Sequence, residues 1–192
     1  MNVRPRFLGV LTLALATALG AAGCTTTSNT TATQMNAAAQ MERDGDATLQ
    51  RLWQLVPGSK ALTDGAAGVL VFPRVLRGSL VVGGAYGGGA LREFGRTTGY
   101  YKTTAGSVGM QAGGQSRAVI YVFNTAQALA QFKASSGWTA GADATVAAGN
   151  IGANGVIDTT SKQQAVTSFV LTNVGLEAGA AVGAAKIWPS QP

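Results

Sequence analysis

Gly68-Val69-Leu70-Val71-Phe72-Pro73 and, a few residues on, Leu80-Val81-Val82-Gly83-Gly84-Ala85-Tyr86-Gly87-Gly88-Gly89 are the stretches that decide the fold. Both are short apolar runs rich in β-branched and aromatic residues and bounded by Gly and Pro, which is the punctuation of strands rather than helices. The same pattern recurs to the end of the chain and predicts strands near 68–73, 79–91, 98–104, 106–114, 117–123, 145–151, 166–172 and 176–187. One helix interrupts them at about 125–135, opened by Asn124-Thr125 and carrying Ala128, Leu129 and Phe132 on one face. Hairpins followed by a crossing helix predict an α+β domain, mainly antiparallel β, with a strongly curved or barrel-like sheet and one or two flanking helices. Gly83, Gly84, Gly87, Gly88 and Gly89 fall within or beside one strand, and glycine there marks a bulge, a bend or the close approach of another backbone.

Upstream of the strands, Leu49, Leu52, Trp53 and Val56 recur at helical spacing after Asp46, a residue suited to capping, and the run stops at Pro57-Gly58. Gln50, Arg51 and Gln54 occupy the other face. Two roles are open to this stripe: packing on the domain's own core, or lying in a lipid interface with Trp53 and its leucines immersed. Residues 24–45 begin with a Thr/Ser/Asn/Ala segment without large apolar residues and are expected to form a flexible tether.

The first residues follow the layout of a secretory signal. Arg4 and Arg6 precede an apolar run from Phe7 to Ala22, which ends in Ala21-Ala22-Gly23-Cys24. The run is marginal for a bilayer of ~30 Å and two threonines interrupt it. Cys24 is the only cysteine, so an internal disulfide is excluded and the thiol needs another explanation. Ala21-Ala22-Gly23-Cys24 resembles the bacterial lipobox, with Ala21 where Leu is more usual. Residues 1–23 are then a lipoprotein signal peptide, Cys24 the lipidated mature N-terminus and 46–192 the folded domain. Losing Arg4 and Arg6 takes the 14 basic residues to 12 against 8 acidic ones. A mildly basic mature chain suits an acidic membrane surface.

Composition also excludes chemistry. There is no histidine, so imidazole catalysis, Ser-His-Asp triads and histidine-rich metal sites are unavailable. The lone cysteine is committed to the anchor, and the acids are scattered rather than paired. The chain is expected not to be an enzyme and to hold neither metal nor cofactor. The glycine run fails the G-x-G-x-x-G spacing, because Arg92 stands where the last glycine belongs, and no G-K-[ST] follows, so nucleotide is not a partner. Gly175, Gly179 and Gly183 have the small-residue spacing of packed membrane helices, but Glu177 and Lys186 interrupt an already short stretch. The basic residues are dispersed, which argues against nucleic acid. Arg74 and Arg77 flank Val75-Leu76 in what reads as an inter-strand loop, and are either solvated charges or a contact for lipid headgroups.

Several of these blocks resemble, in order, the Ysc84-like or SYLF domain family. They are Gly68 to Pro73, Val81 to Gly87, Thr98-Gly99-Tyr100-Tyr101, Gly109 to Ser116, Phe132 to Trp138 and Gly183 to Ile187. The resemblance spans about residues 46–188 and implies a lipid-binding module, since eukaryotic members associate with phosphoinositide membranes, partly through a basic amphipathic N-terminal segment. Some fungal members also bind actin, which is not carried over to an exported chain. In this sequence the matching segment is the Leu49–Val56 helix with Arg51 and Lys60. Leu49, Arg51, Trp53, Lys60, Arg74 and Arg77 are therefore the lipid-binding candidates. The expected partner is an anionic phospholipid membrane, with an envelope protein as the alternative, and Thr25 after the cysteine resembles the sorting pattern for the periplasmic side of the outer membrane. Relatives commonly show Lys where this chain has Ala67, and Glu where it has Ala85, Gly88 and Gly183. Joint loss is what a buried charge cluster would require.

Overall fold

The computed structural model describes residues 27–78, 83–107, 115–149, 157, 161, 163–177 and 185–192, with the backbone alone for 27–30, 77–78, 83–85, 105–107 and 115. Cys24, the signal segment and the connections 79–82, 108–114 and 178–184 lie outside the described residues. Helix α1 (Thr27–Leu55) and helix α2 (Ser59–Asp64) precede strands β1 (Gly68–Gly78), β2 (Gly83–Glu93), β3 (Arg96–Ser107) and β4 (Gln115–Phe123). Helix α3 (Ala126–Ala134) follows, then β5 (Trp138–Thr139), β6 (Val146–Ala148), β7 (Val166–Thr172), β8 (Gly175–Leu176) and β9 (Ala185–Ser190).

These strands form one sheet in the order β5-β9-β3-β2-β1-β4-β7-β6, with β8 paired to β7. All pairings among the described strands are antiparallel except β6 with β7. Laid flat, the path from β5 to β6 would span about 34 Å at the usual strand spacing. The chain between Thr139 and Val146 reaches at most about 25 Å when extended, and a turn shortens it further, with the Gly141 amide donating to the Ala144 carbonyl at 3.0 Å. One short segment therefore joins both edges only if the sheet curls into a half-barrel. Trp138 shows the result: it stands on β5 yet meets Tyr121 and Phe123 of β4 edge-on, at 5.8 and 6.1 Å between ring centroids.

Alternation along the strands gives each face its own core. Leu70, Phe72, Val119, Tyr121, Phe123, Val166, Val170 and Ile187 point into the concave face. There Phe132 of α3 fills the centre, at 4.8 Å from the Tyr101 and Phe123 rings and 5.5 Å from Trp138. Val69, Val71, Ile120, Val122, Phe169 and Leu171 point outward beneath Leu49, Leu52 and Val56 of α1. Burying each of these three α1 side chains contributes about 1.5–3 kcal/mol, so Leu49, Leu52 and Val56 pack on the core, while Trp53 of the same stripe is half-buried. Pro57 and left-handed Gly58 (φ 86°) end α1, and α2 turns back beneath it.

Several boundaries differ from expectation. Helix α1 begins at Thr27 and runs through the stretch expected to be a tether, because Gly45 is buried and Met41, Glu42 and Asp46 reach the sheet. The segments read as separate strands at 98–104 and 106–114 are, as far as Ser107, one strand. The terminal strand expected at 176–187 is split into β8 and β9. Helix α2 was not anticipated. Arg74 and Arg77 are not in a loop: β1 continues to Gly78, paired with Gly84. Between the Val71–Ala90 and Arg74–Gly88 pairs, Phe72 and Pro73 oppose Gly89 alone, a bulge that accommodates a proline with no amide to donate.

Candidate functional site

Two surfaces carry the candidate residues, one on each side of α1. The first is the corner between α1, α2 and the β2–β3 turn. The Trp53 indole N–H donates to Thr63 Oγ1 at 3.0 Å, and Lys60 Nζ lies 5.1 Å from the Trp53 ring centre. Lys60 is also paired with Asp64 at 2.6 Å. Trp53 and Lys60 are thus brought together, but each already has partners in the fold, and Leu49 is only 6% exposed. Beside them a cleft of about 390 Å³ is lined by Trp53, Thr63, Ala66, Val69, Arg92 and Phe94, among others. Phe94 is 95% exposed at the tip of the tight β2–β3 turn, where its φ of 52° precedes Gly95 at 77°. Arg51 leaves this corner, since its guanidinium donates to the Thr172 carbonyl on the other side of α1.

The second surface is the outer sheet face that α1 leaves uncovered. Helix α1 crosses the sheet with Met41 over Gly88, Glu42 accepting from the Tyr100 hydroxyl at 3.0 Å, and Arg92 bonded to both Asp46 and the Glu42 carbonyl. Beyond it the bulge changes the phase of β1. Leu70 and Phe72 face inward before the bulge and Val75 after it, so Leu76 turns outward. Leu76 is 55% exposed and stands directly opposite Tyr86, which is 53% exposed. The row continues from Tyr86 to Thr104 and exposed Lys186, and the next row, at the edge of α1, joins exposed Arg74 to half-buried Lys102 through Gly88, which Met41 covers. Of Arg77 only the backbone is described. Tyr86, Lys102 and Lys186 are not among the sequence candidates, and Leu76 enters there only as part of the apolar pair between Arg74 and Arg77. Pro73 inside a strand was the one signal of a phase change.

Glu93 and Glu177 are held at the margins of the sheet. Lys133 and Thr98 donate to Glu93, at 2.8 and 2.6 Å, and hold its carboxyl below the usual range. Glu177 pairs with Arg117 at 3.2 Å. Burial, then the Glu42 carboxylate, pushes the Tyr100 hydroxyl up, and burial raises Tyr101 and Tyr121. No group of three metal-ligating side chains stands together among the described residues. Ala67 packs on the inner core and Gly88 lies on the outer face under Met41, so these two positions do not meet. Ala85 and Gly183 carry no described side chains. No helix among the described residues is long and apolar enough to cross a membrane.

Residues 104–191 match the Ysc84 family, described as "Las17-binding protein actin regulator". The matched stretch runs from the end of β3 through β9, just under half of the chain, and supports the Ysc84-like resemblance there. No curated protein matches the chain.

Proposed function

We propose, with the Ysc84-like domain as premise, that this chain is a non-catalytic lipoprotein whose domain binds anionic phospholipid. Cys24 is its lipidation site, and the periplasmic side of the outer membrane its location. The observation that carries the phospholipid reading is an imbalance of charge pairing on the sheet. Glu93 and Glu177, at its margins, are each matched by a cation, whereas Arg74, Lys102 and Lys186 have no acidic partner among the described residues. Unpaired cations on a folded surface favour an anionic layer, with about 1 kcal/mol for each that reaches it. The anchor raises the effective concentration of such a weak surface at the membrane.

The test is co-sedimentation of residues 25–192, free of acyl chains, with phosphatidylglycerol-containing vesicles. Binding at low salt that weakens as salt rises is expected, and its absence at low salt overturns the phospholipid reading. Labelling with radioactive palmitate, lost in Cys24→Ala, tests the anchor separately. A second reading, an interaction lipoprotein with an envelope protein partner, is favoured by Phe94, whose exposed ring sits at a backbone angle that suits Asn or Gly better. Cross-linking in the envelope that depends on Phe94, without vesicle binding, is its signature.

A further inference from the structure

We infer, resting on the phospholipid reading above, that the protein docks on an anionic bilayer through one end of its outer sheet face, with Leu76 and Tyr86 as the apolar contact and Arg74, Lys102 and Lys186 as the headgroup contact. The Trp53–Phe94 corner then faces away.

Three observations on this surface agree. Leu76 and Tyr86 are neighbours across β1 and β2 and each is more than half exposed, so together they present a continuous apolar spot. Such a pair on an otherwise well-packed domain needs a reason. The three cations lie on the same face: Arg74 at the next outward position of β1, Lys102 opposite Gly88 on β3, and Lys186 in the row of Tyr86, two strands away on β9. The strands bring no acid among them: β1, β3, β4 and β9 contain none, and the single acid of β2, Glu93, lies at that strand's far end and is held by Lys133, while the nearest acids, Glu42 of α1 and Asp143, accept from the Tyr100 hydroxyl and the Thr139 amide and form no ion pair with the three cations. An apolar centre rimmed by cations of one sign is complementary to acyl chains beneath anionic headgroups. A protein partner of ordinary composition would more often place opposite charges along such a rim.

The sequence adds one more point. The pairs Gly78–Gly84, Gly83–Ser107 and Ala105–Ala185 lie at this same end of the sheet. None of these six residues is charged. The opposite end of β2, at Phe94, is about 26 Å away along the strand, and charged Arg92, Glu93 and Arg96 surround it. One end can therefore contact lipid while the other stays in water.

The experiment exploits the absence of cysteine from residues 25–192. Tyr86→Cys and, separately, Phe94→Cys are labelled with an environment-sensitive dye and mixed with vesicles of about one part phosphatidylglycerol to two parts phosphatidylcholine. A blue shift at position 86 and none at 94 is expected. In parallel, the Leu76→Asp/Tyr86→Asp double variant should lower vesicle partitioning at least tenfold, and each of Arg74→Ala, Lys102→Ala and Lys186→Ala about fivefold. Circular dichroism checks that each variant is folded, and the dye measurement stands even if the double variant is not. If the unaltered chain does not bind vesicles, the phospholipid reading itself falls. If it binds but the shift appears at 94 instead of 86, this orientation is wrong while phospholipid binding stands. A shift at 86 that depends on protein concentration without vesicles assigns the surface to a second copy and overturns the proposal.

Discussion

Adjacent glycines on β2 should respond to the same substitution with different outcomes. A Cβ added to Gly89 would lie 2.5 Å from Phe72 Cδ1 and 2.5 Å from the Val71 carbonyl oxygen. Phe72 is fully buried and the carbonyl belongs to the backbone at the bulge, so neither can retreat cheaply. Overpacking of this kind costs ~1–3 kcal/mol, and an inflexible neighbourhood puts Gly89→Ala at the upper end. The lower chain entropy of Ala offsets ~0.5–1 kcal/mol of that. The net loss is about 2 kcal/mol, or roughly 4–8 °C in Tm for a chain of this size. At Gly88 the added Cβ would meet only Met41 Cε, at 3.0 Å, the free end of a flexible side chain on α1. Gly88→Ala should therefore stay within about 0.5 kcal/mol of the unaltered protein. Urea unfolding of residues 25–192, followed by tryptophan fluorescence, measures both. Equal losses at the two positions would refute the account, because they would show that the β1 bulge does not press on β2 where the pairing places it.

Three further outcomes are expected. Trp138→Ala removes a ring 2% exposed that meets Tyr121, Phe123 and Phe132 across the concavity, and should cost about 3–5 kcal/mol in the same unfolding assay. Phe94→Asn should stabilise by roughly 0.5 kcal/mol, because its φ of 52° followed by Gly95 at 77° is the turn that Asn-Gly adopts; a loss in thermal melting would mean that the exposed ring contributes packing after all. Burial raises the hydroxyls of Tyr100, Tyr101 and Tyr121 above their ordinary value, so the unfolded chain ionises first. Stability is then full below about pH 10 and falls as pH rises through that value, a slope that urea midpoints at increasing pH should show and that Tyr121→Phe should reduce.

Much of the fold follows from local pattern. Val166 to Thr172 reads as a strand and is one, and Thr125 caps α3 through its hydroxyl, which accepts from the Ala128 amide at 3.2 Å. Leu49, Leu52 and Val56 share a helical stripe, and periodicity alone establishes that. Which surface the stripe meets depends on the sheet, so only the folded chain distinguishes core from interface. The same holds for α1 upstream of Asp46: its small polar residues promise no core of their own, and the helix extends because Met41, Glu42 and Asp46 find partners on β2 and β3.

The candidate site divides in the same way. Basic residues near an apolar pair at 74–77 were visible along the chain, as was the absence of histidine and of any second cysteine. Which of those side chains face out was not, because strand alternation predicts direction only while the register is unbroken. One extra residue at Phe72-Pro73 reverses the phase, turns Leu76 outward and sets it opposite Tyr86. Lys102 and Lys186 join that face from strands far apart in sequence. Residue type is therefore a property of the chain, whereas the company a residue keeps was decided by a bulge and a curl, both of which depend on pairings between distant segments.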